Sequence, residues 1–442
     1  MKLVILTRDL GLGGVERCVA LVSEGLAARG VSVEIVMLGG QRNLWGKHLS
    51  GIRVHDLSTI WHGKKPWTWF AGWRAVHRIV ADADVVLAAT FLMPLYMGWL
   101  ATRFSKKKEI VASDSTARKA SSEPRDSTNG TARDERETCQ RHAAQEAGGS
   151  RSRFLGWIHG PLAELDTFAR MNPIHRTACQ FIYRRMDELV CVSEHSRQSL
   201  ARWLDIAAKP SWRVLPNFVE PAAPRAAYSP SPYAEQSCGL HATSPVKREG
   251  AECAADEAFP PSPACGSGAG GKGCPLQLLF VGRIAVEKQP HLWLDTLEAL
   301  AARGFSAELT VLGEGPLKEW VEAEASRREL TVHILGHIGG VEDYMRQADW
   351  LLLTSNFEGF GLVVLEAMQV GLPVVTTNSG GVCDFFAGRQ DEFVTSKACG
   401  EALAALIEAQ LPHYLEVADW CVRRAQDYAP GRMLDQWERL LR

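Results

Sequence analysis

Short apolar runs alternate with segments of helical period from the first residue of this chain, and the alternation is written twice. Strands that alternate with helices give the chain the crossovers that parallel pairing needs, so the pattern is that of βαβ units in doubly wound sheets. Lys2–Leu6 reads as a strand; Val15–Arg29 reads as a helix with Cys18, Val19, Val22 and Leu26 along one face and Gly30 as its stop; Val31–Leu38 reads as a strand again. Further strands are predicted at Asp84–Ala88, Phe154–Ile158, Glu188–Val192 and Arg213–Leu215. The second series runs through Leu276–Val281, Ala307–Leu312, Val332–Leu335, Trp350–Leu353 and Pro373–Thr376. The expected fold class is α/β, with two Rossmann-like, doubly wound parallel-sheet domains in tandem.

Two stretches break the alternation. Residues 113–152 and 222–273 are rich in Ser, Pro, Gly and Ala without apolar periodicity, which predicts loose order. The expected organisation is an N-terminal domain over 1–217 with an insertion at about 113–152, a linker over 218–274, and a second domain over 275–427. A closing segment, 428–442, follows it.

Forty-nine Lys and Arg against 51 Asp and Glu leave a net charge of −2, and no basic stripe dominates, which speaks against a nucleic-acid binder. Eleven scattered cysteines with no C-x-x-C pair suggest a reducing compartment. The first apolar run is too short for a secretory leader, so a cytoplasmic location is expected, and no run approaches the length of a membrane-spanning helix.

Three segments can carry chemistry. Gly11-Leu12-Gly13-Gly14-Val15-Glu16 follows the first strand and opens a helix, where backbone N–H groups can hold an anion; a tight turn needing glycine is the other reading. The third glycine of a dinucleotide fingerprint would fall at Glu16, so that motif fails. Phe280–Lys288 ends the first strand of the second series. Arg283 and Lys288 there stand at the carboxyl edge, where open α/β sheets bind ligands, and two cations suit a diphosphate; a surface pair with Glu287 is the alternative. Finally, Glu358-Gly359-Phe360-Gly361-Leu362 precedes a helix that carries Glu366 about two turns on. Its glycines allow close approach of a ligand, and Glu366 would suit the two hydroxyls of a ribose. Asp82-Ala83-Asp84 reads D-x-D but sits at the amino end of a strand, and a structural role is expected for it.

In this order the segments resemble the retaining GT-B glycosyltransferases of the family 4 or group 1 type, whose E-x7-E signature has the spacing of Glu358 and Glu366. The likeness also takes in His159-Gly160, Asp187–Glu194, Leu215-Pro216-Asn217, Gly313-Glu314-Gly315-Pro316 and Gly380-Gly381, about 340 residues in all. It implies two domains facing a cleft, with the last helix crossing back to the first domain. It also implies a nucleotide-sugar donor, most often a UDP- or GDP-sugar, held mainly by the second domain. Carried over by position, Arg283 and Lys288 neutralise the diphosphate and Glu366 binds the ribose. Glu358 and the backbone of Gly359, Phe360, Gly361 and Leu362 hold sugar and phosphates. Gly13 and Gly14 approach the phosphate, while His159 contacts the sugar near the reacting carbon; Glu358 and His159 are the expected catalytic residues.

The resemblance further implies transfer with retention, by same-face attack in which the leaving phosphate takes the acceptor proton. With Arg283 and Lys288 in place of bridging acids, neither a metal nor a cofactor is expected. The acceptor is open: Trp61, Trp67, Trp69, Phe70 and Trp73, lying among Lys64, Lys65 and Arg74, suit either core packing or contact with an anionic membrane, and a lipid-linked or polysaccharide acceptor fits the second. A sugar-nucleotide epimerase and a non-catalytic nucleotide-sugar-binding subunit are the competing functions.

Overall fold

A computed structural model describes residues 1–11, 13–39, 45, 48–60, 66–103, 152–222 and 275–442. The insertion (but for Ser152) and nearly all of the linker, with Trp61, Lys64 and Lys65, lie outside the described residues.

Among the described residues, thirteen strands and their helices form two parallel sheets. The first comprises β1 (Lys2–Thr7), β2 (Ser32–Met37), β3 (Arg53–Asp56), β4 (Val85–Ala88), β5 (Arg153–Ile158), β6 (Glu188–Cys191) and β7 (Trp212–Val214), in the order β3-β2-β1-β4-β5-β6-β7. The second comprises β8 (Leu276–Val281), β9 (Ala307–Leu312), β10 (Val332–Gly336), β11 (Trp350–Leu353), β12 (Val374–Thr377) and β13 (Val394–Thr395), in the order β10-β9-β8-β11-β12-β13. Both are doubly wound, reversing direction beside their first strand, so the expected pair of Rossmann-like sheets is present. β3 escapes the sequence pattern because it is an edge strand with little burial.

The main helices are α1 (Gly14–Ala28), α2 (Pro66–Val80), α3 (Met93–Arg103), α4 (Pro173–Tyr183), α5 (Glu194–Leu204), α6 (His291–Ala302), α7 (Lys318–Arg327), α8 (Val341–Gln347), α9 (Leu362–Gln369), α10 (Gly400–Gln410), α11 (Tyr414–Ala425) and α12 (Pro430–Leu441). No described helix is long and apolar enough to cross a membrane. The chain divides into two compact units, one of Met1–Trp157 with Pro173–Leu189, the other of Ile158–Asn172 with Val190–Arg442.

In the first unit Leu3, Val4, Ile5 and Leu6 are completely buried. A parallel strand covered on both faces must be apolar at successive positions, which is why β1 reads as a run and not an alternation. Right-handed crossovers put α1 on one face of this sheet and α2, α3 and α4 on the other. Gly98 lets α3 lie close to the sheet, since a Cβ there would stand 2.5 Å from the Phe154 ring. Asp82 and Asp84 brace the sheet edge: Lys2 Nζ donates to Asp82 Oδ1 at 2.8 Å and Lys2 N to Asp84 Oδ2 at 2.8 Å.

In the second unit Leu278, Leu279, Phe280, Leu351 and Leu352 form the buried strand core. Trp293 of α6 packs its ring 4.1 Å from that of Phe280, and Tyr414 of α11 donates to the Asp349 carbonyl at 2.9 Å.

Candidate active site

The site grows from the carboxyl ends of β8 and β11, neighbours in the second sheet. Beyond β8 the chain turns at Gly282 (φ +150°), where Gly313 (φ +154°) presses against it. A Cβ on Gly313 would lie 1.9 Å from the Gly282 carbonyl oxygen, and one on Gly315 would lie 2.1 Å from that of Ile284. Only glycine fits either place. Hydrogen bonds from Ile284 N to Glu314 O (3.0 Å) and Leu317 N to Ile284 O (3.1 Å) fix the turn, and Arg283 projects from it into solvent.

Lys288 closes the short 3₁₀ turn Val286–Lys288. Its backbone is pinned by buried Thr354, whose hydroxyl donates to the Lys288 carbonyl at 2.6 Å and accepts Trp293 Nε1 at 2.7 Å. Asn356 N donates to the Glu287 carbonyl at 2.8 Å. So anchored, Lys288 donates through Nζ to Glu358 Oε1 at 2.5 Å, and Ser355 Oγ donates to the same oxygen at 2.7 Å. The partner of Lys288 is thus Glu358 and not its sequence neighbour Glu287. About a fifth of each side chain is exposed, so this is a charge-assisted pair held largely out of water.

The Glu358 backbone is tied to the loop after β12, with N donating to Ser379 O at 2.7 Å and O accepting Gly381 N at 3.1 Å. Gly359 is gripped from three sides. A Cβ on it would fall 1.9 Å from the His159 carbonyl oxygen; a Cβ on Gly381 would fall 2.0 Å from the Gly359 carbonyl; and that carbonyl accepts Ser193 Oγ at 2.7 Å and Ser196 Oγ at 3.3 Å. Ser193 also caps α5, accepting Ser196 N at 3.1 Å, while Asp384 Oδ2 accepts Glu194 N at 3.0 Å. Burial raises the Asp384 carboxyl above its ordinary value. Sequence reading named Ser193 but gave it no role, and it missed Ser196, Ser355 and Asp384.

Gly361 (φ +82°) opens α9, whose short N-terminal turn contains Leu362. Phe360 sends its ring into the core, 4.8 Å from Phe385 and 5.8 Å from Tyr428, so only its backbone is available to a ligand. Glu366 is half-buried on α9 between buried Leu365 and Ala367. His159 follows β5, and its Nε2 is buried. Burial pushes the imidazole down to about 3, so it is neutral at physiological pH.

Gly13 and Gly14 belong to the first unit, at the start of α1. There Glu16 folds back, placing Oε2 2.0 Å from where a Gly13 Cβ would stand. Burial raises the Glu16 carboxyl above its ordinary value.

This arrangement offers a fixed cation, a carboxylate with its proton-accepting oxygens positioned, an exposed guanidinium and a glycine-lined helix start. Residues 13–217 match the family model described as glycosyl transferase 4-like domain, and residues 271–421 match that of glycosyl transferases group 1. The glycogen synthase of Mycobacterium tuberculosis is 31% identical over 156 residues, covering 34% of this chain and 37% of that protein. The GDP-mannose-dependent α-(1-6)-phosphatidylinositol dimannoside mannosyltransferase of the same species is 34% identical over 115 residues, 25% of this chain and 30% of that one. The matches therefore span about a third of the length of these relatives. Among solved structures, HepE of Anabaena in complex with UDP-glucose superposes with a TM-score of 0.66 at 15% identity, over 100% of this chain and 99% of that one. The lipopolysaccharide outer core galactosyltransferase WaaB superposes with a TM-score of 0.60 at 14% identity, over 100% and 99%. The two parallel sheets are those of the GT-B fold, and the chain belongs to the group 1, family 4 type of glycosyltransferases.

Proposed function

We propose that this chain transfers a sugar from a UDP- or GDP-sugar to a glycan or lipid-linked acceptor, with retention of anomeric configuration. The observation that carries the reading is the meeting of Lys288 with Glu358 and Ser355 at the ends of β8 and β11. A diphosphate needs fixed positive charge, which Lys288 and Arg283 supply, and sugar hydroxyls need a fixed acceptor, which the Glu358 carboxylate supplies. Glu366 is the acceptor for the ribose hydroxyls, and the backbone of Gly359, Gly361 and Leu362 faces the phosphates.

Breaking the bond between the anomeric carbon and the diphosphate oxygen moves the electron pair to the leaving group, where the two cations stabilise it. The acceptor oxygen attacks the same face, and its proton passes to the departing phosphate oxygen. Neutral His159 lies beside the sugar as a hydrogen-bonding group without a charge that would oppose the growing positive character of the ring. The reaction so described uses neither metal nor cofactor. The relatives support the donor class: one is named for its dependence on GDP-mannose, and HepE was crystallised with UDP-glucose.

The test is a thermal-shift panel of UDP, GDP, ADP and dTDP and their sugar conjugates, with EDTA present. A ligand at about 100 times its dissociation constant stabilises the fold by about 2.7 kcal/mol. Stabilisation by one nucleotide, lost in Arg283→Ala or Lys288→Ala, is expected; no stabilisation by any would refute the reading.

A further inference from the structure

Three neighbouring helices on one face of the first sheet stand apart from the rest of the chain. α2, α3 and α4 have 15, 11 and 11 residues and not one aspartate or glutamate among them. At the frequency of the whole chain, 51 in 442, about four would be expected there. What they carry instead is arginine, histidine and large apolar side chains. Arg74, Arg78, Arg103 and Arg176 are all exposed, and Arg184 and Arg185, directly after α4, extend the row.

The apolar residues are exposed as well. Ile174 is 77% exposed, Phe70 60%, Phe181 42% and Trp69 40%: four of the largest apolar side chains left in water, on just two helices. α3 packs between those two helices and joins them. Trp99 of α3 meets Phe181 of α4 edge to face at 5.8 Å, and His77 of α2 bonds the Ala101 carbonyl of α3 at 3.2 Å. Arg185 lies 3.6 Å over the Phe181 ring, so cation and aromatic form one amphipathic group.

We infer that the α2-α3-α4 face is a docking surface for an anionic lipid bilayer. Aromatic and aliphatic side chains enter the boundary between head groups and acyl chains, and arginines beside them attract negative head groups. Charge complementarity selects this partner: three helices that carry arginines and no carboxylate of their own attract an acidic surface, whereas a second copy would bring the same positive charge against them. The surface gives a lipid-linked acceptor a place to meet the enzyme, and to that extent the inference rests on the proposed transferase reading. Its test does not, because vesicle binding is measured without turnover.

The full-length protein is floated with vesicles of phosphatidylcholine alone and with about 30% phosphatidylglycerol, at two salt concentrations. Binding to the anionic vesicles, weaker at high salt and at least tenfold above that to the neutral ones, is expected. The double variant Phe70→Glu/Ile174→Glu alters only exposed side chains and loses at least tenfold. Arg176→Gln/Arg185→Gln keeps the apolar residues and loses roughly fivefold per arginine. Equal binding to both vesicle types, no binding, or wild-type binding by the double variants, once circular dichroism confirms they are folded, would overturn the inference. So would light scattering that finds a dimer dissolved by the same substitutions while vesicles remain unbound. Vesicle binding without any nucleotide-induced thermal shift would sink the transferase reading and leave the docking surface standing.

Discussion

Gly359→Ala is the sharpest perturbation the site allows. The new methyl carbon would stand 1.9 Å from the His159 carbonyl oxygen, 2.8 Å from its carbon and 2.9 Å from Gly160 Cα. Ordinary contact begins at 3.4 Å, so one of the two chains must retreat by about 1.5 Å. Every obstacle is backbone, and none can rotate away. Nor can the loop slip back freely, because its carbonyl is held by Ser193 and the next turn by Gly381. Overpacking of this kind costs about 1–3 kcal/mol, and displacing a reacting constellation by about 1 Å can cost about 10² in rate. Expected are a loss of a few degrees in Tm and a fall of about 10² in kcat/KM for the sugar nucleotide that the thermal-shift panel identifies. Gly339→Ala, where an added Cβ meets nothing within 4 Å, serves as the control and should behave as wild type. Wild-type Tm and turnover in Gly359→Ala would refute the claim that Glu358 is positioned by this grip.

Lys288→Ala leaves the Glu358 carboxylate with Ser355 alone; it should cost about 1–3 kcal/mol of stability, checked by urea titration, and abolish most turnover in a folded protein. Glu366→Ala should likewise lose most turnover in a protein that remains folded, and full activity would remove it from the ribose role. His159, ordinarily near 6.5, is held near 3, so the unfolded chain takes up a proton that the native one refuses. Stability is therefore full above about pH 6.5 and declines as pH falls toward 3, with a slope approaching about 1.4 kcal/mol per pH unit for this one proton. Urea midpoints at pH 7, 6 and 5 should show His159→Gln lacking that part of the decline; parallel profiles would count against it. Turnover should persist in excess EDTA, and complete inhibition reversed by Mg²⁺ would overturn the metal-free reaction.

Strands buried on both faces were legible because burial dictates their composition, as at Leu3–Leu6 and Leu278–Phe280. β3 was not, since an edge strand with the sequence Arg-Val-His-Asp buries too little to leave a pattern. Arg283, Lys288 and Glu358 could be nominated because they follow apolar strands within seven residues, and Glu366 because it lies about two turns beyond Glu358 on the helix that follows. The partner of Lys288 could not. Adjacency suggested Glu287, whereas the strand order brings the ends of β8 and β11 side by side and delivers Glu358 from 70 positions away. Ser193 and Ser196 meet Gly359 across 166 and 163 positions, and a lone hydroxyl carries no periodicity by which to trace such a contact.

That β8 and β11 are neighbours in space but not in sequence ties the proposed donor binding to chain assembly. Between them the chain must run out through β9 and β10 and return before Lys288 finds Glu358. Closing so long a loop is paid in entropy before any contact repays it. A nascent chain ending before residue 354 has the lysine without its carboxylate. Nucleotide capture thus becomes a reporter of how far synthesis and folding have progressed: chains halted before β11 should pass a nucleotide column unretained, and retention should begin only once the loop after β11 has docked against the end of β8.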